Sequence, residues 1–172
     1  MSRQIVHRGR KIQVAIDTFV LPDGATVTRD VVLHPGAVAI LPLVDAGHVC
    51  LLRNQRPVIE DTIWEIPAGT LEPNEPPDDA ARRELAEETG YRAGQLRKLG
   101  VIIPSPGVLN ERIHLYLATD LTAGPQELER DEVLEPKTVP VEQALAWTLD
   151  GTIQDAKTLV ALMLWDRVRP AR

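Results

Sequence analysis

The sequence predicts an α+β fold built on a mixed β-sheet, with an antiparallel β-hairpin at its N-terminus. Most strand-like patterns come first, and helical patterns are scattered after them. The 172 residues are 44% hydrophobic and 26% charged, a composition typical of globular proteins. A chain of this length buries about 70% of the surface that its unfolded form exposes, so it needs no disulfides to fold.

Residues 10–34 carry the pattern of the hairpin, with alternating apolar and polar residues on both sides of a turn at Pro22 and Gly24. An isolated two-stranded hairpin is only marginally stable in water, so this one must pack on another surface. We therefore divide the chain into an N-terminal extension at residues 1–35 and a main domain at residues 36–172.

The main domain begins with short apolar strands and leads into a helix. This helix is predicted to begin near Pro76 or Pro77, because proline suits a first helical turn, and to end at Gly90. The strands before it are predicted at 37–44, 49–53 and 62–66.

The second half of the domain is predicted to contain two further strands, a long acidic loop and two helices. The last helix carries an apolar stripe that we expect to face the core, formed by Leu159, Leu162, Met163 and Val168. The elements are predicted, in order, at 96–103, 112–118, 119–138 (the loop), 141–149 and 155–168.

The composition excludes several functional classes. Nineteen basic residues against 25 acidic ones give a net charge of −6, which argues against nucleic acid as a partner. The single cysteine, Cys50, excludes a disulfide framework and lies in an apolar run, where we expect it to be buried. The longest apolar stretch, 37–44, is far shorter than a membrane span of about 20 residues, and the N-terminus does not resemble a signal peptide. We expect a cytoplasmic protein without membrane contacts.

Three carboxylates share one face of the first predicted helix. At about 100° per residue, Glu84, Glu87 and Glu88 fall within an arc of about 100°. Like charges at this spacing repel each other, so a hard divalent cation with oxygen ligands is a natural partner. The alternative is a solvated acidic face, which is common on surface helices.

The residues around these carboxylates follow a fixed spacing, which indicates a family. They are Gly69, Glu75, Arg83, Glu84, Leu85, Glu87, Glu88 and Gly90. At these positions the chain resembles the Nudix hydrolases, whose box reads G-x5-E-x7-R-E-U-x-E-E-x-G-U, where U is a bulky apolar residue. Tyr91 stands at the last position, where it is bulky but partly polar.

The resemblance implies an α/β/α sandwich with a mixed sheet and a metal site. Glu84 and Glu88 would be catalytic residues and the principal Mg²⁺ ligands, with Mn²⁺ as the alternative metal. Glu87 and the carbonyl oxygen of Ala68 would be further ligands. The family also implies that Arg83 and Glu75 pair, which would hold the loop of the box against its helix.

A second resemblance concerns the substrate. Pro106, in Ser-Pro-Gly, follows Gly90 by 16 residues, which is similar to the ADP-ribose pyrophosphatase branch, as is the Ile-Pro-Ala-Gly sequence that ends at Gly69. The branch continues Ser-Pro-Gly with Phe-Thr-Asp-Glu, of which this chain keeps only Glu111. Of the branch's Gln-aromatic-Arg strand end, it keeps only Arg56.

The branch implies roles for several residues outside the box. Arg56 would bind a substrate phosphate, with Arg53, Glu111 and Pro106 as further substrate-binding residues. A general base would come from the acidic loop, where Glu132 is the first choice and Glu129 and Glu135 are the alternatives. The competing interpretation is a surface charge at a strand end for Arg56 and a solvated acidic loop for the loop carboxylates. For Glu111, which would orient the terminal ribose or a metal, it is a plain residue at the start of a strand.

The function implied by the resemblance is Mg²⁺-dependent hydrolysis of ADP-ribose to AMP and ribose 5-phosphate. The alternatives are a pyrophosphatase for another nucleotide sugar or dinucleotide, or a nucleotide-binding module of the same fold without catalysis. Branch members pair through their N-terminal strands, so the extension at 1–35 predicts a homodimer.

Overall fold

A computed structural model describes residues 1–128 and 133–169 of the chain. The N-terminal part forms an antiparallel sheet of three strands in the order β1-β2-β3. The predicted hairpin is present as β2 and β3, and an additional strand precedes it. The three strands are β1 (Ser2–Arg8), β2 (Gln13–Val20) and β3 (Thr26–Leu33).

The sequence does not predict strand β1, because its residues are almost all exposed and show no apolar alternation. Its side chains contribute mainly one ion pair, in which Arg3 binds both carboxylate oxygens of Asp17 on β2 at 2.6 Å. The N-terminal sheet contacts the main domain through β3, where the amide of Val32 donates to the carbonyl of Val108 at 2.7 Å.

The main sheet contains seven strands in the described residues and is mixed, as predicted. Its central path is β10-β5-β4-β9-β8, while β6 pairs with β5 and β7 pairs with β4. The β4–β9 pair is parallel and the other pairs are antiparallel. The strands are β4 (Ala37–Asp45), β5 (His48–Arg56), β6 (Asp61–Glu65), β7 (Ala68–Thr70), β8 (Tyr91–Ile102), β9 (Ile113–Ala123) and β10 (Leu134–Pro140).

Three helices cover the two faces of this sheet within the described residues: α1 (Pro77–Thr89), α2 (Val141–Asp150) and α3 (Ala156–Val168). Successive side chains of β4 point to opposite faces, and both faces are buried. Val38 and Ile40 pack in one cluster with Leu85 of α1. Ala39 and Leu41 pack in a second cluster with residues of α2 and α3. The α/β/α sandwich expected from the resemblance is confirmed.

Two predictions about the second half of the chain were wrong. Residues 119–138 are not one loop, because β9 continues to Ala123 and β10 begins at Leu134. Strand β10 lies at the edge of the sheet, where its prolines are tolerated, and those prolines favoured a loop in the sequence. In the last helix, Met163 and Val168 are exposed, whereas Leu162 is buried as predicted. The other buried residues of this helix are Thr158, Ala161 and Trp165.

Cys50 is buried in β5 with 1% of its surface exposed, as predicted, and burial raises the pKa of its thiol to about 12. This thiol is therefore a core group and not a nucleophile at neutral pH. Within residues 1–128 and 133–169, no helix has the length and apolarity to cross a bilayer.

Candidate active site

A cavity of about 1060 Å³ lies at the ends of β4, β5 and β7, beside α1 and the start of α3. Its lining combines the three carboxylates of α1 with the cations Arg56 and Lys157. The predicted residues Ala68, Glu84, Glu87, Glu88, Arg56 and Glu111 all line this cavity. The sequence thus predicted a group of residues that the fold brings together.

Helix α1 holds its carboxylates in place through its buried side. Ala80, Ala81 and Leu85 are completely buried against the sheet, and they fix the helix in rotation. Glu84 and Glu88 follow Ala80 at intervals of four residues, so they lie along the same side and are only 8% and 4% exposed. The helix ends at Gly90, whose φ of 74° is a backbone conformation that glycine adopts without strain.

The Glu84 carboxylate packs so close to β7 at Gly69 that this position has no room for a side chain. A Cβ atom at this position would lie 1.9 Å from the Glu84 carboxylate, closer than any non-bonded contact allows. The backbone of β7 can therefore reach the carboxylates of α1 only without a side chain. One position earlier, the amide of Ala68 donates to Glu88 Oε2 at 2.8 Å.

Arg83 connects the loop before α1 to the carboxylate face. Its Nε and Nη2 donate to the two oxygens of Glu75 at 2.9 Å, so the predicted pair is present. Its Nη1 donates to Glu84 at 2.7 Å and to Glu87 at 3.0 Å. These bonds, led by the one to Glu75, raise the pKa of Arg83, and the same bond lowers the pKa of Glu75.

The described residues contain no cluster of three His, Cys, Asp or Glu side chains already arranged to hold a metal ion. The donor chemistry nevertheless fits a hard divalent cation, because Glu84, Glu87 and Glu88 offer carboxylate oxygens on one helix face. Two of these carboxylates are nearly buried, and burial of a negative charge is costly without a compensating positive one. A cation at this face would share the compensating role that Arg83 has in the structure.

A second charged group lies at the cavity wall and centres on Glu65, the last residue of β6, which does not itself line the cavity. Arg56 donates from Nε and Nη2 to its two oxygens at 2.7 and 2.5 Å. Lys157 donates to Glu65 at 2.8 Å and to Asp155 at 2.9 Å. Burial would raise the pKa of Glu65, but the two cations outweigh it and hold the pKa below its usual value.

Sequence reasoning missed Glu65, Lys157 and Asp155. Asp155 carries a local signal, since it begins α3 by accepting from the amide of Thr158 at 3.0 Å, as helix N-caps do. Glu65 and Lys157 carry no such signal, because they are 92 residues apart and meet only in the folded chain.

The remaining predicted residues lie in different surroundings. Arg53 lies over the ring of Trp64, 5.0 Å from its centroid, and is not part of the cavity lining. Pro106 is also outside the lining. Glu111 lines the cavity and lies 3.3 Å from Nδ1 of His34.

The predicted base and its alternatives come from the acidic stretch that the sequence predicts as a loop at residues 119–138. Glu132, the first choice, and Glu129 lie outside the described residues. Glu135 lies in β10, where it is exposed and paired with Lys137.

Comparison with known proteins defines the class. The NUDIX domain family matches residues 33–162, so the chain belongs to this family and is a Nudix hydrolase. It is 38% identical over 164 residues to an ADP-ribose pyrophosphatase of Bacillus subtilis (strain 168), covering 94% of this chain and 89% of that protein. It is 36% identical over 159 residues to a methanol dehydrogenase activator of Bacillus methanolicus, covering 91% and 86%. A crystal structure of an ADP compounds hydrolase superposes with a TM-score of 0.85 at 25% identity, covering 97% of this chain and 91% of that one.

The contact between Gly69 and Glu84 gives a stability prediction. Gly69→Ala should lower the free energy of unfolding by about 1–3 kcal/mol, because the methyl group must displace a nearly buried carboxylate. Gly100→Ala is the matched control, since a Cβ there meets only Leu164 at 3.7 Å, and its effect should stay within about 0.5 kcal/mol. Urea unfolding measures both, and equal stability of the two variants would refute the close approach.

Proposed function

We propose that this chain hydrolyses the diphosphate linkage of ADP-ribose, giving AMP and ribose 5-phosphate. The observation that carries the proposal is the cavity, which combines a carboxylate face suited to a divalent cation with cations suited to phosphate. A volume of about 1060 Å³ is adequate for a ligand of nucleotide-sugar size. The names of the Bacillus subtilis relative and of the structural neighbour support the same substrate class.

Mg²⁺, with Mn²⁺ as the alternative, is the metal that the proposal requires. Glu84, Glu87, Glu88 and the carbonyl oxygen of Ala68 would hold it. When bound, such an ion neutralises phosphate charge and lowers the pKa of a bound water. Arg83 would keep Glu84 and Glu87 in position through the hydrogen bonds described above.

The substrate would be bound by residues around the carboxylate face. The guanidinium of Arg56 matches phosphate oxygens in charge and shape, and it retains 44% exposure of its side chain. Glu111 would orient the terminal ribose, with Arg53 and Pro106 as further contacts. Glu132 would accept the proton of the water that attacks one phosphorus atom.

A second candidate, hydrolysis of another nucleotide sugar or dinucleotide, is favoured by one feature of the cavity. None of the described residues that line it is Phe, Tyr or Trp, so His34 carries the one aromatic ring that they offer for stacking on adenine. A binding module without catalysis is the third candidate, but a complete set of box carboxylates is not needed for binding alone.

A substrate panel tests the proposal. With Mg²⁺ present, kcat/KM should be highest for ADP-ribose, compared with GDP-mannose, NADH and diadenosine polyphosphates. Chromatography of the nucleotide products measures each rate. A tenfold preference for another compound would move the assignment to that substrate, and the absence of turnover on all of them would favour the binding module.

The metal face is tested by Glu88→Gln. The amide oxygen can still accept from Ala68, but the negative charge is lost, so kcat/KM should fall by at least about a hundredfold. Asp166→Asn, which changes a carboxylate paired with Arg169 outside the cavity, should stay within about twofold. Activity of Glu88→Gln within tenfold of the wild type would argue against a metal ligand at this position.

The base is tested by Glu132→Gln. A carboxylate bound to a metal ion has its basicity lowered, so the base is expected outside α1. Loss of a general base should lower kcat by about 10²–10⁴ and leave KM nearly unchanged. Glu129→Gln and Glu135→Gln should each cost less than tenfold. A collapse of kcat in one of these two instead would keep the base in this segment but at another residue.

The N-terminal extension at residues 1–35 is proposed as a dimerisation element of a cytoplasmic homodimer. The extension exposes apolar side chains at Val6, Ile12 and Val20, and the last of these is 69% exposed. Burial of such side chains in a dimer interface would remove their apolar surface from water, which favours association. Analytical ultracentrifugation at micromolar concentration should show a dimer, and a monomer over the whole concentration range would exclude this role.

A further inference from the structure

We propose that Glu65 is a positioning residue of the active site, which acts on the substrate through Arg56. The inference rests on the proposed function, in which Arg56 binds a phosphate of the diphosphate. Glu65 itself has only 3% of its side chain exposed, whereas Arg56 has 44% exposed and lines the cavity. The carboxylate is therefore the buried support of an accessible cation.

The geometry of the pair fixes the plane of the guanidinium. Nε and Nη2 of Arg56 bind the two oxygens of Glu65 in a parallel fork, the most directional arrangement open to this pair. A guanidinium has five N–H donors, and the fork does not engage Nη1. Nη1 of Arg56 is therefore held in one orientation before a substrate binds.

Glu65 is itself held from two directions. Lys157 donates to the same Oε2 that receives Arg56 Nη2, at 2.8 Å, and it also donates to Asp155. The amide of Ile66, next to Glu65, donates to Thr158 Oγ1 at 2.9 Å in the same helix start. The support of Arg56 is therefore joined to both β6 and α3.

Two effects of Glu65 on phosphate binding oppose each other. Its negative charge weakens the attraction between Arg56 and a phosphate, but its fork removes the need to order Arg56 on binding. Ordering one long, flexible side chain on binding costs conformational entropy. Lys157 already shares the charge of Glu65, so we expect the positioning effect to dominate.

The test is a double-mutant cycle on KM. Glu65→Gln should raise KM for ADP-ribose about tenfold, with kcat within about threefold of the wild type. Arg56→Lys keeps the charge but cannot form the fork, so it should raise KM similarly. In the Arg56→Lys background, Glu65→Gln should change KM less than twofold, because its effect passes through the arginine.

Asp17→Asn separates positioning from general stability. Asp17 is also buried and also receives a two-point contact from an arginine, Arg3, but it does not line the cavity. This variant should lower the melting temperature and leave KM within twofold. An unchanged or lowered KM in Glu65→Gln would overturn the inference, as would the full effect persisting in the Arg56→Lys background.

Two further measurements cover a variant that does not fold and a wild type that is inactive. If Glu65→Gln does not fold, Glu65→Asp should raise KM, since its shorter side chain draws the acceptor away from Arg56, and a wild-type KM would refute the role. If the wild type hydrolyses no diphosphate compound, the proposed function fails. The same cycle is then measured as the dissociation constant of inorganic pyrophosphate by calorimetry, where independent effects of the two residues would refute the positioning role.

Discussion

The burial of negative charge beside α1 is the constraint on which the rest of the site depends. Glu84 and Glu88 lie almost completely out of solvent, where an uncompensated carboxylate would be costly. Arg83 supplies positive charge to Glu84, and the amide of Ala68 supplies a hydrogen bond to Glu88. The backbone of β7 comes this close only because Gly69 has no side chain. Helix, loop and strand are therefore arranged around the same carboxylates.

The sequence predicted this part of the molecule because its determinants are local. The positions of Glu84 and Glu88 follow from the pitch of one helix, whose two ends are marked by Pro77 and Gly90. The partnership of Arg83 with Glu75 spans only eight residues, and the resemblance to the family implied it. Residues this close in sequence keep the same arrangement in any fold that contains this helix and the loop before it.

The features that were missed depend on the assembled sheet. Strands β1 and β10 lie at edges and carry polar residues or prolines, so their pairing comes from neighbours and not from apolar alternation. Met163 and Val168 belong to the predicted apolar stripe but are exposed, and Trp165, which lies outside that stripe, packs in the core beside Leu162. The packing of a helix decides which of its apolar residues face the sheet. The apolar pattern alone does not give the rotation of the helix about its own axis.

The four residues from Glu65 to Ala68 connect the two charged groups of the cavity. At one end, the Glu65 side chain holds Arg56 and Lys157; at the other, the Ala68 amide holds Glu88. Between them, the Ile66 amide is bound by Thr158 at the start of α3. Because this segment is bonded at both ends, it limits the distance between the cations paired with Glu65 and the carboxylate face. A substrate that spans both groups would thus meet a spacing that is already determined before it binds.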